Sequence, residues 1–158
     1  MKTALFILLL STLPLTVNAQ RPKSLTKVDL DVNGLHFGMN TNEVYDLFWG
    51  SRTGEGTQEH GFSWDYDGAI VCFSSKRTVI CIDVIDPRYP TRRGLRVGDT
   101  PAKVLKLYGR PTRTVDDSYW TYVYPGDSTK GISFFFEDHS SKKRDTVTFF
   151  RVGQLRLE

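Results

Sequence analysis

One stretch is written twice, and it limits the folds open to the chain. "GLHFGMNTNEVYDLFWGS" begins at Gly34 and "GLRVGDTPAKVLKLYGRP" at Gly94. Gly34, Leu35, Gly38, Val44 and Leu47 recur as Gly94, Leu95, Gly98, Val104 and Leu107. In the first copy Asn40 and Glu43 have the spacing of a capping box. Val44, Leu47 and Phe48 then fall at i, i+3 and i+4, an apolar helical stripe that Gly50 stops. In the second copy Thr100 reads as the N-cap and Pro101 as the first helical residue, where its missing N–H costs nothing. Val104, Leu107 and Tyr108 form the stripe, Gly109 supplies a left-handed stop, and Pro111 blocks continuation. Helices of two to three turns are marginal alone, so both must dock on a partner element.

That element follows each helix as three strand-like runs. The first set is "GFSWDYDG", "AIVCFSS" and "TVICIDVID"; the second is "SYWTYVYPG", "GISFFFED" and "DTVTFFRVG". All are rich in aromatic or β-branched residues and bounded by turn formers. Trp64 and Tyr66 match Trp120 and Tyr122 in order and spacing. "VDLDV" before the first copy reads as a short leading strand. The expected fold is α+β: two tandem repeats of short helix plus three-stranded antiparallel meander, making a two-layer α/β sandwich.

The organisation then reads as 1–19 signal peptide, 20–33 N-terminal segment, 34–86 first repeat, 87–93 linker, 94–153 second repeat and 154–158 tail. "ALFILLLSTLPL" is too short to span a membrane, and "VNA" suits cleavage after Ala19. Of the 158 residues about 139 remain, suiting one compact domain or two fused halves. Export is expected, periplasmic or secreted, with no transmembrane anchor. The net charge of +3 does not imply nucleic acid. Arg88, Arg92, Arg93 and Arg96 make a local basic stretch, either a solvated linker or a contact for an anion or acidic partner.

Strand alternation assigns the sheet faces. Ile80, Ile82 and Val84 read as inward, as do Ile132, Phe134 and Phe136, and Thr148, Phe150 and Val152. The outer face then carries Asp83, Ile85, Tyr119, Phe135, Phe149 and Arg151, an aromatic and charged set suited to protein contact. Loops or the chain ends covering those aromatics is the alternative. With Ser74 opposite Val79 across "SSKRT", Cys72 lies opposite Cys81, within disulfide reach on the outer face. A hairpin staple is the structural reading, and a redox role the alternative.

Catalytic patterns are sparse. No G-x-S-x-G elbow, H-E-x-x-H or phosphate-binding glycine loop is present. Two cysteines with His36, His60 and His139 have no zinc spacing, so neither metal nor cofactor is expected. Asp65, Asp67 and His60 form the one acid–base trio an enzyme could use, while the two carboxylates, alternating into a turn, read first as a solvated turn and otherwise as a weak calcium site.

The pattern of paired glycines, capped helix, Val, and G-x-P resembles the superfamily of the β-lactamase inhibitor protein and the SmpA/OmlA (BamE-like) outer-membrane assembly proteins. Residues 94–111 match through the proline; in 34–50, Trp49 stands where Gly109 falls and no proline follows. The likeness covers about residues 30–153, and the tandem arrangement is nearer the inhibitors. In that family paired sheets form a concave surface that docks a target enzyme, which implies that the outer face binds. Two features depart from the family: the inhibitor disulfides tie helix and loop regions, and the assembly proteins carry a lipid-anchoring cysteine. The expected function is an exported, non-catalytic protein-binding module, inhibitor-like; the alternative is a periplasmic accessory of envelope assembly or maintenance.

Overall fold

The computed structural model describes residues 23–48, 52–58, 61–115, 118–136 and 146–155. It is a mixed α+β structure with two short α-helices and a mostly antiparallel sheet. No helix among the described residues is long and apolar enough to cross a membrane.

Both helices begin as their sequences require. In α1 (Thr41–Leu47) the Asn40 side chain accepts from the N–H groups of Asn42 and Glu43, while Glu43 accepts from the Asn40 N–H at 2.7 Å. In α2 (Pro101–Tyr108) Thr100 accepts from the Lys103 N–H. Val44 and Val104 are completely buried, and Phe48 and Tyr108 extend the stripe one turn on. Leu47 departs from expectation at 45% exposed. Positions i, i+3 and i+4 span about 100° of helix surface with i+3 at one edge of the arc, so i and i+4 go in and i+3 lies at the margin. Gly109 has φ 74° and ψ −155°, so the stop is a glycine-favoured conformation different from the left-handed one expected. Gly50 lies outside the described residues.

Each helix is preceded by a glycine turn with positive φ, 91° at Gly38 and 87° at Gly98. The turns are pinned in the same way. Gly38 N–H donates to Val79 O and Val79 N–H to Met39 O, at 2.9 and 2.7 Å. Gly98 N–H donates to Val147 O and Val147 N–H to Asp99 O, both at 2.8 Å. The loop entering each helix is thereby tied to a strand far along the chain.

Among the described residues ten strands run in chain order. β1 (Asp31–Val32) and β2 (Leu35–His36) form a small hairpin. The main sheet holds β3 (Arg52–Gln58), β4 (Gly61–Tyr66), β5 (Ala69–Ser74), β6 (Val79–Val84), β7 (Arg113–Val115), β8 (Tyr119–Tyr124), β9 (Asp127–Phe136) and β10 (Val147–Gln154). Its order is β3-β4-β5-β6-β10-β9-β8-β7, so the last strands of two meanders meet at the centre. Each meander has four strands, one more than the sequence suggested. The added β3 and β7 are the two edges. An edge strand need not alternate apolar and polar residues, and "RTGEGTQ" does not. "VDLDV" also differs: Lys27–Leu30 form a 3-10 turn, and only its last two residues pair as a strand.

Helix-side residues align in rows across the sheet. Trp64, Val71, Ile82, Val152, Ile132 and Tyr122 are successive cross-strand partners, as are Tyr66, Ala69, Val84, Phe150, Phe134 and Trp120. All twelve are buried. Tyr108 of α2 packs on Tyr122 and Phe134, and Phe48, at the end of α1, packs on Tyr66. Two inward assignments are corrected. Ile80 and Thr148 are only half-buried, and Val79 and Val147 take their core places. The cause is one extra residue in each strand: Phe73 pairs Val79 while Cys72 pairs Cys81, and Phe136 pairs Val147 while Phe135 pairs Phe149. Strict alternation cannot anticipate a bulge.

A polar junction fastens the N-terminal segment. Arg93 donates twice to Asp29, at 2.7 and 2.8 Å, and also to Ser24 O and Leu107 O. Its guanidinium lies 4.8 Å from the Tyr108 ring centre. Beneath it Tyr108 OH donates to Thr91 Oγ1 at 2.8 Å, and Thr91 Oγ1 accepts from Leu95 N–H. The basic stretch is therefore divided. Arg93 is structural, Arg88 pairs with Asp67 and Asp86, and Arg96 donates to Pro87 O. Hydrogen bonds from Arg88 hold the Asp86 carboxyl below its ordinary range.

Candidate functional site: the sheet face away from the helices

Five of the outer residues named from sequence, Asp83, Tyr119, Phe135, Phe149 and Arg151, share one face by register, and Ile85 follows Asp83 by two residues. Tyr119, Phe135 and Phe149 are direct partners across β8, β9 and β10. Phe135 and Phe149 stack with centroids 4.0 Å apart and planes 8° apart, and Tyr119 lies 5.0 Å from Phe135. All three rings are half-buried. Ile85, just past β6, is 51% exposed. These rings extend one another into a ridge with its rim in water, where a partner could cover more apolar area.

The next row holds Asp65, Ile70, Asp83, Arg151, Ser133, Thr121 and Arg113. Arg151 clasps Asp83 with two hydrogen bonds of 2.6 Å. Their side chains are only 12% and 14% exposed. Thr121 and Ser133 share a hydroxyl hydrogen bond of 2.9 Å and are both buried. The central part of this row, Asp83 to Arg151 and Ser133 to Thr121, is thus satisfied within itself and lies beside the aromatic ridge. Asp83 and Arg151 join the two meanders because β6 and β10 meet there.

The third row carries the disulfide. Cys72 and Cys81 are cross-strand partners, bonded, with Cα atoms 4.9 Å apart. The expected hairpin register was one residue out: Val79 faces Phe73, not Ser74. Two departures cancel. Ser74 N–H donates to Thr78 O across the turn, and the extra Ile80 restores the cysteine pairing. Replacing both cysteines with alanine should cost about 2 to 3 kcal/mol, since the bond closes a short loop. Thermal melting of the double variant beside the wild type checks this; equal melting temperatures would contradict it.

Among the described residues, the cluster that could hold a metal ion has no free donors. The ligand atoms of Cys72, Cys81 and Asp83 lie within 4.8 Å of one another, yet both sulfurs are bonded and both Asp83 oxygens accept from Arg151. In the acid–base trio, Asp67 is ion-paired to Arg88 at 2.7 Å, Asp65 sits on the outer face, and His60 lies outside the described residues. Sequence reading missed Ile70 and the place of Asp65 on this face. The alternation of Asp65 with Trp64, and of Ile70 with Val71, carried that signal.

No protein-family model matches the chain, and no curated protein matches it. Solved structures do resemble it. The uncharacterized protein YfeY of Escherichia coli is 17% identical, TM-score 0.49, over 80% of this chain and 97% of that one. An extracellular protein containing an SCP domain from Bacillus anthracis is 13% identical, TM-score 0.55, over 85% of this chain and 49% of that one. The DUF4309-family protein YjgB of Bacillus subtilis is 19% identical, TM-score 0.47, over 77% of this chain and 83% of that one. The chain thus spans about half of the Bacillus anthracis protein, and that likeness is one of fold.

Proposed function

We propose that the chain is an exported, non-catalytic protein-binding module that docks a protein partner on the sheet face away from its helices. The observation that carries this reading is the Tyr119–Phe135–Phe149 ridge beside the self-paired Asp83–Arg151 couple. Aromatic anchors are enriched at protein interfaces, and a charge pair already satisfied within the chain leaves no unpaired charge to bury beside them. Under this reading the fold is two tandem repeats forming a two-layer α/β sandwich, related to the inhibitor and BamE-like proteins. The matching pins of the Gly38 and Gly98 turns, and the matching bulges at Ile80 and Thr148, support the repeat. The disulfide supports export, because such bonds persist in oxidising compartments.

A Phe135→Ala/Phe149→Ala variant tests the face. Affinity capture from envelope extract and culture fluid should recover one stoichiometric partner with the wild type and lose it with the variant. Truncating two anchors should weaken binding by about 2 to 4 kcal/mol. Equal recovery by a variant with unchanged circular dichroism contradicts the proposal.

A further inference from the structure

The far side of the molecule carries a second surface of different chemistry. Residues 23–30 lie against the last turn of α2. Lys23 N–H donates to Tyr108 O and Lys23 Nζ to Lys106 O, at 2.9 and 2.7 Å. Arg93 bridges Leu107 O to Ser24 O and Asp29. This places Lys23 beside Lys106, on the segment that carries Lys27 and at the helix end that Arg110 follows, with Arg92 next to Arg93 in sequence. All five side chains are exposed.

Their charges are not compensated locally. Segments 23–31 and 91–113 together hold nine lysines and arginines against three aspartates, Arg113 among them lying in the row of the opposite face, while the entire chain is only +3. The rest of the chain is thus net negative. The three acids are engaged: Asp29 by Arg93, Asp99 by Lys103, and Asp31 by the Gly34 N–H. Among the described residues no carboxylate pairs with Lys27, Arg92, Lys106 or Arg110. A cleft of about 410 Å³ opens between Asp31, Asn33 and Arg92. Val28, 57% exposed, stands beside Lys27.

We propose that this surface docks on an anionic lipid bilayer, reading its headgroup phosphates. Protein interfaces concentrate aromatics and exclude lysine from their centres, and this patch does the reverse. Clustered solvated cations with one small apolar side chain suit a plane of repeated negative charge, where each Lys or Arg adds its own increment. The aromatic face lies on the opposite side of the sheet, so bilayer contact leaves it open. The inference is independent of the protein-docking reading.

The test is co-sedimentation with phosphatidylcholine vesicles, with and without phosphatidylglycerol, at low and high salt. The wild type should bind only the anionic vesicles and release in high salt. The Lys27→Gln/Arg92→Gln/Lys106→Gln/Arg110→Gln variant, its fold checked by circular dichroism, should bind roughly 100- to 1000-fold more weakly. The Phe135→Ala/Phe149→Ala variant should bind as the wild type does. Wild-type failure on anionic vesicles, equal binding by the quadruple variant, or loss in the aromatic variant each overturns the inference. So does binding to heparin without binding to vesicles, or displacement by millimolar inorganic phosphate.

Discussion

Arg93→Ala is expected to destabilise the fold by about 3 to 4 kcal/mol at neutral pH, because it strands a buried carboxylate. Asp29 is 3% exposed, and Arg93 supplies two of its hydrogen bonds. Burial pushes the Asp29 carboxyl up, but the Arg93 and Thr26 hydrogen bonds outweigh it, leaving its pKa below the ordinary 3.8. For a depressed acid, the stabilisation is complete above the unfolded pKa and is lost as pH falls through the lower folded value. In the wild type this loss therefore comes at or below about pH 3.8. Without Arg93 its hydrogen bonds and charge no longer lower the carboxyl, so the folded pKa rises from its wild-type value. Acidification then neutralises the stranded charge and narrows the gap to the wild type. Denaturant unfolding at pH 7 and again near pH 4 reads both effects. A loss below about 1 kcal/mol at pH 7, or a gap that widens on acidification, contradicts this role. Lysine at position 93 should restore little, since it cannot reproduce the forked contact.

Gly153→Ala should cost a similar amount, about 4 kcal/mol. Gly153 pairs Cys81 and Gly131 at the junction of β6 and β10. Its φ is 107°, which costs a side chain about 2 kcal/mol in strain. An added Cβ would also stand 2.6 Å from the Ile80 carbonyl oxygen, and shifting that backbone adds about 2 kcal/mol. The expected signature is a lower denaturant midpoint, with amide exchange raised first in β6 and β10. A change below about 1 kcal/mol would show that the junction yields easily and that the two meanders are not held there.

Sequence made the helices legible because their signals are local. Asn40 with Glu43, and Thr100 with Pro101, each specify a start within four residues. The aromatic face was legible for a similar reason: Phe135 alternates with Phe134 and Phe136 inside one strand. What escaped depends on distant chain. Ile80 and Thr148 become bulge residues because Val79 and Val147 bond the glycine turns before α1 and α2. Asp29 and Arg93 meet across 64 residues, with no periodicity to announce it. The edge strand β3 carries Gly54 and Gly56, residues depleted in strands, and is held by pairing with β4.

The most direct measurement is site-specific photo-crosslinking in the full-length protein. A photoreactive phenylalanine analogue at position 135 should form one discrete adduct with a partner protein. The same analogue at Leu47, exposed on the helix side, should not. Adducts to the same partner from Leu47 but none from position 135 would contradict docking on the aromatic sheet face.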